Sequence, residues 1–357
     1  MTLRSQCRCL RWAFRCGSWE PTQSEWLIAV QSIQLEELSR SAKFVFKEDV
    51  KCAVAGRLLI RKAIRTCLNI EWKDIKLQRT SRGKPYLDLC HQSSSDGLKP
   101  FAFNISHHGD FVVLASSCFG DIGIDIMQVK QPTGGRSVTE YVKLMKRQFS
   151  KHEWRMLSNC SNDNDQLHMF YRLWTLKESY IKATGVGLHE KLQNFDFHLA
   201  TGPLGLLKTI TQDECTTGTT LFLPTESSIT VTAENSKLTD SQELQTSSTT
   251  GATKTTTTTT TATSSATNEW VFEEYQLPGD YCVAVCRQVD ADPCSNCVFC
   301  TDDAGKLAPR DSTQKFTYLN FDQLTVDAQR LHCPSLAEWD KFSEKLSRST
   351  PDGRGGD

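Results

Sequence analysis

Several features are missing from this sequence, and each absence narrows what the protein can be. No run approaches the roughly 18 consecutive apolar residues of a membrane span. The first residues also lack the apolar core of a secretory signal, so a cytosolic protein is the expectation. Arg4, Arg8, Arg11 and Arg15 precede the first acid, Glu20, in faint likeness to a mitochondrial presequence, but Trp12, Phe14 and Trp19 point instead to an early folded strand. Excess charge of one sign is missing too. The 41 basic and 42 acidic residues leave a net charge of −1, so no global basic field invites nucleic acid or an anionic membrane, and any anion site must be local. Aromatic residues vanish between Phe222 and Trp270, where seven consecutive threonines, Thr255 to Thr261, close a polar stretch. Such a stretch cannot bury enough surface to offset its ordering entropy, so about 225–268 is expected to be a disordered insertion.

What remains is ample for a globular fold. With 357 residues and 38% hydrophobic content the chain can bury a sizeable core in two domains or subdomains. The fifteen cysteines are scattered, and most read as reduced core thiols. Cys294, Cys297 and Cys300, with His332 and Cys333 beyond, match no complete zinc knuckle.

The pattern of elements is α+β. A helix is expected over 49–68, with Asp49 as its cap, a stripe of Ile60, Ile64, Cys67 and Leu68, and Arg57, Arg61, Lys62 and Arg65 largely off that stripe. Short β-rich runs follow: "IKLQRT", "FAFNIS", "DFVVLASS" and "DIGIDIM". Helical sequence over 137–158 leads to a second helix around Trp174, then strands at 193–199, 219–223, 270–275 and 281–287. The insertion then falls at the tip of an extended hairpin, where loop length costs little. "GDFVVLA" at 109–115 parallels "GDYCVAV" at 279–285, consistent with two similar halves or with two ordinary Gly-Asp turns. The expected organisation is one half over 10–128, a second over 129–290, and a mostly irregular, loosely attached tail over 291–357.

Chemistry-bearing residues stand out against this frame. Leu167, Phe170, Tyr171 and Trp174 mark a buried helical stripe that Glu178 continues, with Lys182 a turn later. A carboxylate there must find partners or a metal, the plain alternative being an ion pair with Lys182. In "GDIGIDIM" the isoleucines face one side and Asp125 the other, while Gly123 leaves room beside it for a ligand or a packed backbone. Asp125 and Glu178 together would supply two hard oxygen ligands suited to Mg²⁺ shared with substrate phosphates. Arg40, Arg79, Arg82 and Lys84 offer local positive charge, and Asn104, Ser106 and His107 offer donors at a strand end.

These segments, "QRTSRGKP", "FNISHHGD", "GIDIM" and "LWTLKESYIKATGVG", resemble the 4′-phosphopantetheinyl transferases, with W-x-x-K-E-x-x-x-K at Trp174, Lys177, Glu178 and Lys182. "AGRLLIRK" and "RWAFRCGSW" look most like the eukaryotic branch acting on aminoadipate-semialdehyde dehydrogenase. The resemblance implies a monomer of two pseudo-symmetric α+β halves with coenzyme A and Mg²⁺ in the cleft between them. It implies transfer of the phosphopantetheine arm to a carrier-domain serine, releasing adenosine 3′,5′-bisphosphate. By the same resemblance Asp125 and Glu178 hold the metal, and Glu178 also accepts the serine proton. Lys177 and Lys182 steady the pyrophosphate, His107 holds a phosphate oxygen, and Asn104, Ile105 and Ser106 also belong to the coenzyme A site. Arg40, Arg79, Thr80, Ser81, Arg82, Gly83 and Lys84 address the nucleotide end. Many family members carry another acid where this chain has Met127, so a water is expected as the third metal ligand in preference to His108.

Overall fold

A computed structural model describes residues 9–88, 101–117, 120–187, 191–199, 219–222, 269–289, 316–333 and 335–348. The Thr-rich insertion and Cys294, Cys297 and Cys300 lie outside them. No helix among the described residues is long and apolar enough to cross a membrane.

Four strands form one sheet in the order β11 (Thr317–Leu319), β1 (Arg11–Arg15), β5 (Phe111–Ser117) and β4 (Ala102–His108). Its pairings are antiparallel except β1 with β11. A second, antiparallel sheet runs β6 (Ile122–Gln128), β10 (Tyr281–Val289) and β9 (Glu269–Leu277). Two small pairs complete the β structure, β2 (Leu77–Arg79) with β3 (Pro85–Leu87) and β7 (Asp196–Leu199) with β8 (Thr219–Phe222). The helices are α1 (Gln23–Gln31), α2 (Leu35–Ser41), α3 (Lys47–Leu68), α4 (Val138–Leu144), α5 (Lys151–Ser158), α6 (Asp163–Thr184), α7 (Phe321–Thr325) and α8 (Leu336–Ser343).

Strand alternation explains the layering. Every residue of β5 is buried, because Val112 and Leu114 enter the core under α3 while Phe111, Val113 and Ala115 enter a second core between the sheets. From the other sheet Ile122, Ile124, Ile126, Val283 and Val285 meet them there. Ala284 and Cys286, on the opposite face of β10, pack with Leu173, Leu176 and Ile181 of α6. Side chains of β4 bridge the two sheets: Asn104 Oδ1 accepts Ile124 N–H at 3.0 Å, and His108 Nδ1 accepts Gln128 N–H at 2.9 Å. His108 is thereby committed to backbone.

The structure departs from the sequence expectations at three places. Helix α3 starts at Lys47 with Phe46 at its N-cap and no side-chain cap; Asp49 lies in the first turn, where both its oxygens accept from Arg348 at 2.7 Å. Burial on α6 is not confined to one stripe, since Arg172, Thr175, Lys177 and Ser179 are buried while Trp174 and Glu178 are half-buried. Its surface is covered by β6 and β10 on one side and by α4 and α5 on others. Residues 316–348 are not loosely attached: β11 extends the first sheet, the Phe321 ring stacks on Trp19 at 5.2 Å, and Phe342 stacks on Trp26 at 3.9 Å. Sparse aromatics anchor an otherwise polar segment because Phe321 and Phe342 each find a ring in the first thirty residues.

Candidate active site

Asp125 sits mid-strand on β6, facing away from the isoleucine core toward α6. Helix α6 reaches it because position 123 has no side chain. A Cβ at Gly123 would fall 2.0 Å from Ser179 O and 2.3 Å from Ala183 N, so the glycine is filled by packed backbone. That contact lays the last turns of α6 over β6, and Gly185 at φ 68° ends the helix.

One carboxylate oxygen of Asp125 is fully engaged. Lys182 Nζ lies 2.5 Å from Oδ1, Ser106 Oγ donates to the same atom at 2.9 Å, and Lys182 also donates to Ser106 Oγ at 2.8 Å. The other oxygen, Oδ2, is buried with no hydrogen-bond partner. Glu178 stands one turn before Lys182, and its side chain makes no hydrogen bond or ion pair among the described residues; the pair with Lys182 does not form. Its carboxyl is raised above the ordinary value, by burial first and then by the Asp125 charge, with Lys182 offsetting part of this. An orphaned buried oxygen whose carboxylate is felt electrostatically by a second, desolvated carboxylate is the donor set a hard divalent cation would complete, so the residues present fit Mg²⁺.

His107 extends the site toward α3. Its surface is exposed, yet lost hydration beside the surrounding protein, and then the charges of Lys182 and Arg57, hold its imidazole below the ordinary value, so it is neutral near pH 7. Arg57, which the sequence sets largely off the apolar stripe of α3 without a site role, is a residue that sequence reasoning missed, together with Glu37. It pairs with Glu37 at 2.9 Å, and the same carboxylate holds Arg79 at 3.0 and 2.8 Å. Burial opposes ionisation of Glu37, but the Arg79 hydrogen bonds and the charges of Arg57, Arg79 and Arg40 outweigh it and hold the carboxyl below its usual range. Nη1 of Arg57 is buried without a partner, a donor left for an anion. Arg40 is exposed, 3.8 Å from Glu36, and adds its charge to this cluster.

The basic turn lies against the end of α6. Gly83, at φ 85°, makes the reversal, with Gly83 N–H donating to Thr80 O at 2.8 Å and Lys84 N–H donating to Thr80 Oγ1 at 3.1 Å. Arg79 Nη1 donates to Gly83 O at 2.7 Å. Arg82 donates to Gly185 O at 2.9 Å, and Lys84 Nζ donates to Lys182 O at 2.7 Å and Ala183 O at 3.0 Å. Lys84 thus caps helix carbonyls, and burial pulls its ammonium below the ordinary value. Thr80, Ser81, Arg82 and Lys84 line a cleft of about 700 Å³ with Thr184 and Gly185. Of the donors on β4, Ser106 reaches Asp125, Asn104 is spent on the bridge to β6, and Ile105 packs on the α3 side.

Lys177 is not in this site. Fully buried, it donates to Leu192 O and Phe195 O at 2.8 Å and pairs with Glu153 at 2.8 Å. The resemblance assigned it to pyrophosphate, but its ammonium fastens α6 to α5 and to the segment entering β7.

Two family descriptions match consecutive parts of the chain: "4′-phosphopantetheinyl transferase, N-terminal" over residues 17–119 and "4′-phosphopantetheinyl transferase superfamily" over 121–234. The L-aminoadipate-semialdehyde dehydrogenase-phosphopantetheinyl transferase of Mus musculus is 39% identical over 338 residues, 93% of this chain and 90% of the mouse protein. That of Homo sapiens is 38% identical over 333 residues, with the same coverage of 93% and 90%. A phosphopantetheinyl transferase of Thraustochytrium is 36% identical over 192 residues, 53% of this chain and 65% of that protein.

Proposed function

The chain belongs to the 4′-phosphopantetheinyl transferase family, and from that premise we propose that it transfers the 4′-phosphopantetheine arm of coenzyme A to a serine of acyl or peptidyl carrier domains, an aminoadipate-semialdehyde dehydrogenase-type enzyme among them. The serine oxygen attacks the phosphorus that bears the pantetheine arm. The bond from that phosphorus to the bridging oxygen breaks, and adenosine 3′,5′-bisphosphate leaves with the oxygen. Glu178, with its raised carboxyl, is placed to take the serine proton. Lys182 holds Asp125 and Ser106 in one geometry and carries positive charge to the diphosphate. His107, neutral, donates to a phosphate oxygen, while Arg57, Arg79 and Arg40 receive the nucleotide's further phosphate charge. Asp125 and Glu178 would hold Mg²⁺, which neutralises diphosphate charge in phosphoryl transfer.

The observation that carries this reading is the divided carboxylate of Asp125, one oxygen bound by Lys182 and Ser106 and the other buried and free. We also read α3 with β4 and β5, and α6 with β9 and β10, as related halves around the site. Both helices have 22 residues, and the two Gly-Asp turns meet where Asp110 N–H donates to Tyr281 Oη at 2.8 Å. Mass spectrometry of a purified apo carrier domain incubated with the protein, coenzyme A and Mg²⁺ tests the proposal. A mass gain of one phosphopantetheine with bisphosphate release supports it; no gain, or an acyl gain without bisphosphate, rejects it.

A further inference from the structure

Away from this site, one group of three metal-ligating side chains occurs among the described residues: His152, Asp196 and His198, whose ligand atoms all lie within 4.8 Å of one another. His152 is in the first turn of α5, while Asp196 and His198 are two apart on β7 and so share one face of the strand. The imidazoles stack with centroids 4.1 Å apart and planes 7° from parallel. His198 Nε2 lies 3.3 Å from Asp196 Oδ2, and Ser150 Oγ donates to Asp196 Oδ1 at 2.7 Å.

The scaffold behind these side chains is rigid. Glu153, next to His152 and fully buried, accepts Phe197 N–H at 3.0 Å and pairs with the buried Lys177 at 2.8 Å. Phe197 lies between Asp196 and His198 and is itself fully buried. The inward residues therefore lock α5 to β7, and their neighbours are presented together on the outer side. Ring stacking alone accounts for the two histidines. A carboxylate is turned to the same point, one oxygen 3.3 Å from His198 and the second oriented by a serine, as ligating carboxylates are.

We propose that His152, Asp196 and His198 form a second metal site, for a transition ion of the zinc class. Two imidazoles and one carboxylate are the donors such ions prefer, whereas Mg²⁺ selects an all-oxygen shell. All three side chains are partly exposed, so a fourth position opens to water. Bound metal ties the start of α5 to β7, a clip independent of the transfer site.

The test uses the full chain, freed of metal by a chelator and titrated with Co²⁺ in excess Mg²⁺. The expected result is one Co²⁺ with visible ligand-field bands and no thiolate-to-metal charge-transfer band, displaced by Zn²⁺ and accompanied by a rise in Tm. His152→Ala with His198→Ala removes the bands and the Tm rise, while Asp196→Asn weakens binding at least tenfold. Both variants keep Mg²⁺-dependent transfer, which also reports that they fold. Should the double variant fold poorly, His152→Gln with His198→Asn supplies the same comparison. Absent binding, a thiolate band, or full affinity in the double variant overturns the proposal.

Discussion

Lys182 and Asp125 meet over a single oxygen: Nζ lies 2.5 Å from Oδ1, and Oδ2 is left buried without a partner. An ion pair built for stability would fill both acceptors, because an unsatisfied buried polar atom costs about 1–3 kcal/mol. The division therefore marks Asp125 as positioned by Lys182 and Ser106 for a further ligand.

Under the proposed function, replacing Glu178 by Gln would remove a metal ligand and a proton acceptor while preserving shape. The expected loss of transfer is about 10²–10⁴-fold, with Tm unchanged or slightly raised because a desolvated charge has gone. Rates of carrier modification by mass spectrometry, alongside thermal unfolding, check both halves. A variant within a few-fold of the parent removes Glu178 from the chemistry.

Glu37→Gln loosens the hold on Arg57 and Arg79 without touching substrate. The expected outcome is a rise of about tenfold in KM for coenzyme A with kcat nearly unchanged, the pattern of a lost binding contact. Steady-state kinetics at varied coenzyme A decides it, and a fall in kcat at constant KM contradicts the assignment.

Lys177→Met separates the structural lysine from the functional one. Removing one partner leaves Glu153 buried and uncompensated, which costs about 3–5 kcal/mol. Urea unfolding should show that loss, while KM for coenzyme A of the folded fraction stays the same. A raised KM at normal stability would return Lys177 to the pyrophosphate.

Acid sensitivity should report Glu273. Burial opposes its ionisation, but Arg11, Arg287 and the Tyr275 hydroxyl outweigh this and hold the carboxyl down to about 2, against an ordinary 4.5. A depressed folded-state value gives stability that is complete above about 4.5 and is lost as pH falls toward 2. Glu273→Gln is therefore less stable at pH 7 and shows a flatter decline across that window in thermal unfolding. An unchanged acid limb would contradict the coupling to Arg11.

Much of this was legible in the residues, for physical reasons. Alternation along "DIGIDIM" placed Asp125 opposite the isoleucines, because period two acts locally, and of the ligand or packed backbone that Gly123 left room for, the backbone of α6 is what fills it. Glu178 and Lys182, four apart, share a helix face, Lys182 meeting Asp125 and Glu178 sensing its charge. Lys177 carried the same motif but sits about 100° of helix turn from Glu178, so its ammonium meets a different neighbour. Glu37 with Arg57, and Trp26 with Phe342, were invisible because their partners lie far away in the chain and no local periodicity marks them. The capping role of Lys84 was hidden likewise, since its carbonyl partners belong to α6.

The measurement that reaches the centre of the account most directly is Mn²⁺ binding, with Mn²⁺ as the spectroscopic substitute for Mg²⁺, followed by electron paramagnetic resonance in the presence of coenzyme A. One ion should bind the parent protein and be lost in Asp125→Asn and in Glu178→Gln alike. Undiminished Mn²⁺ affinity in both variants would contradict it.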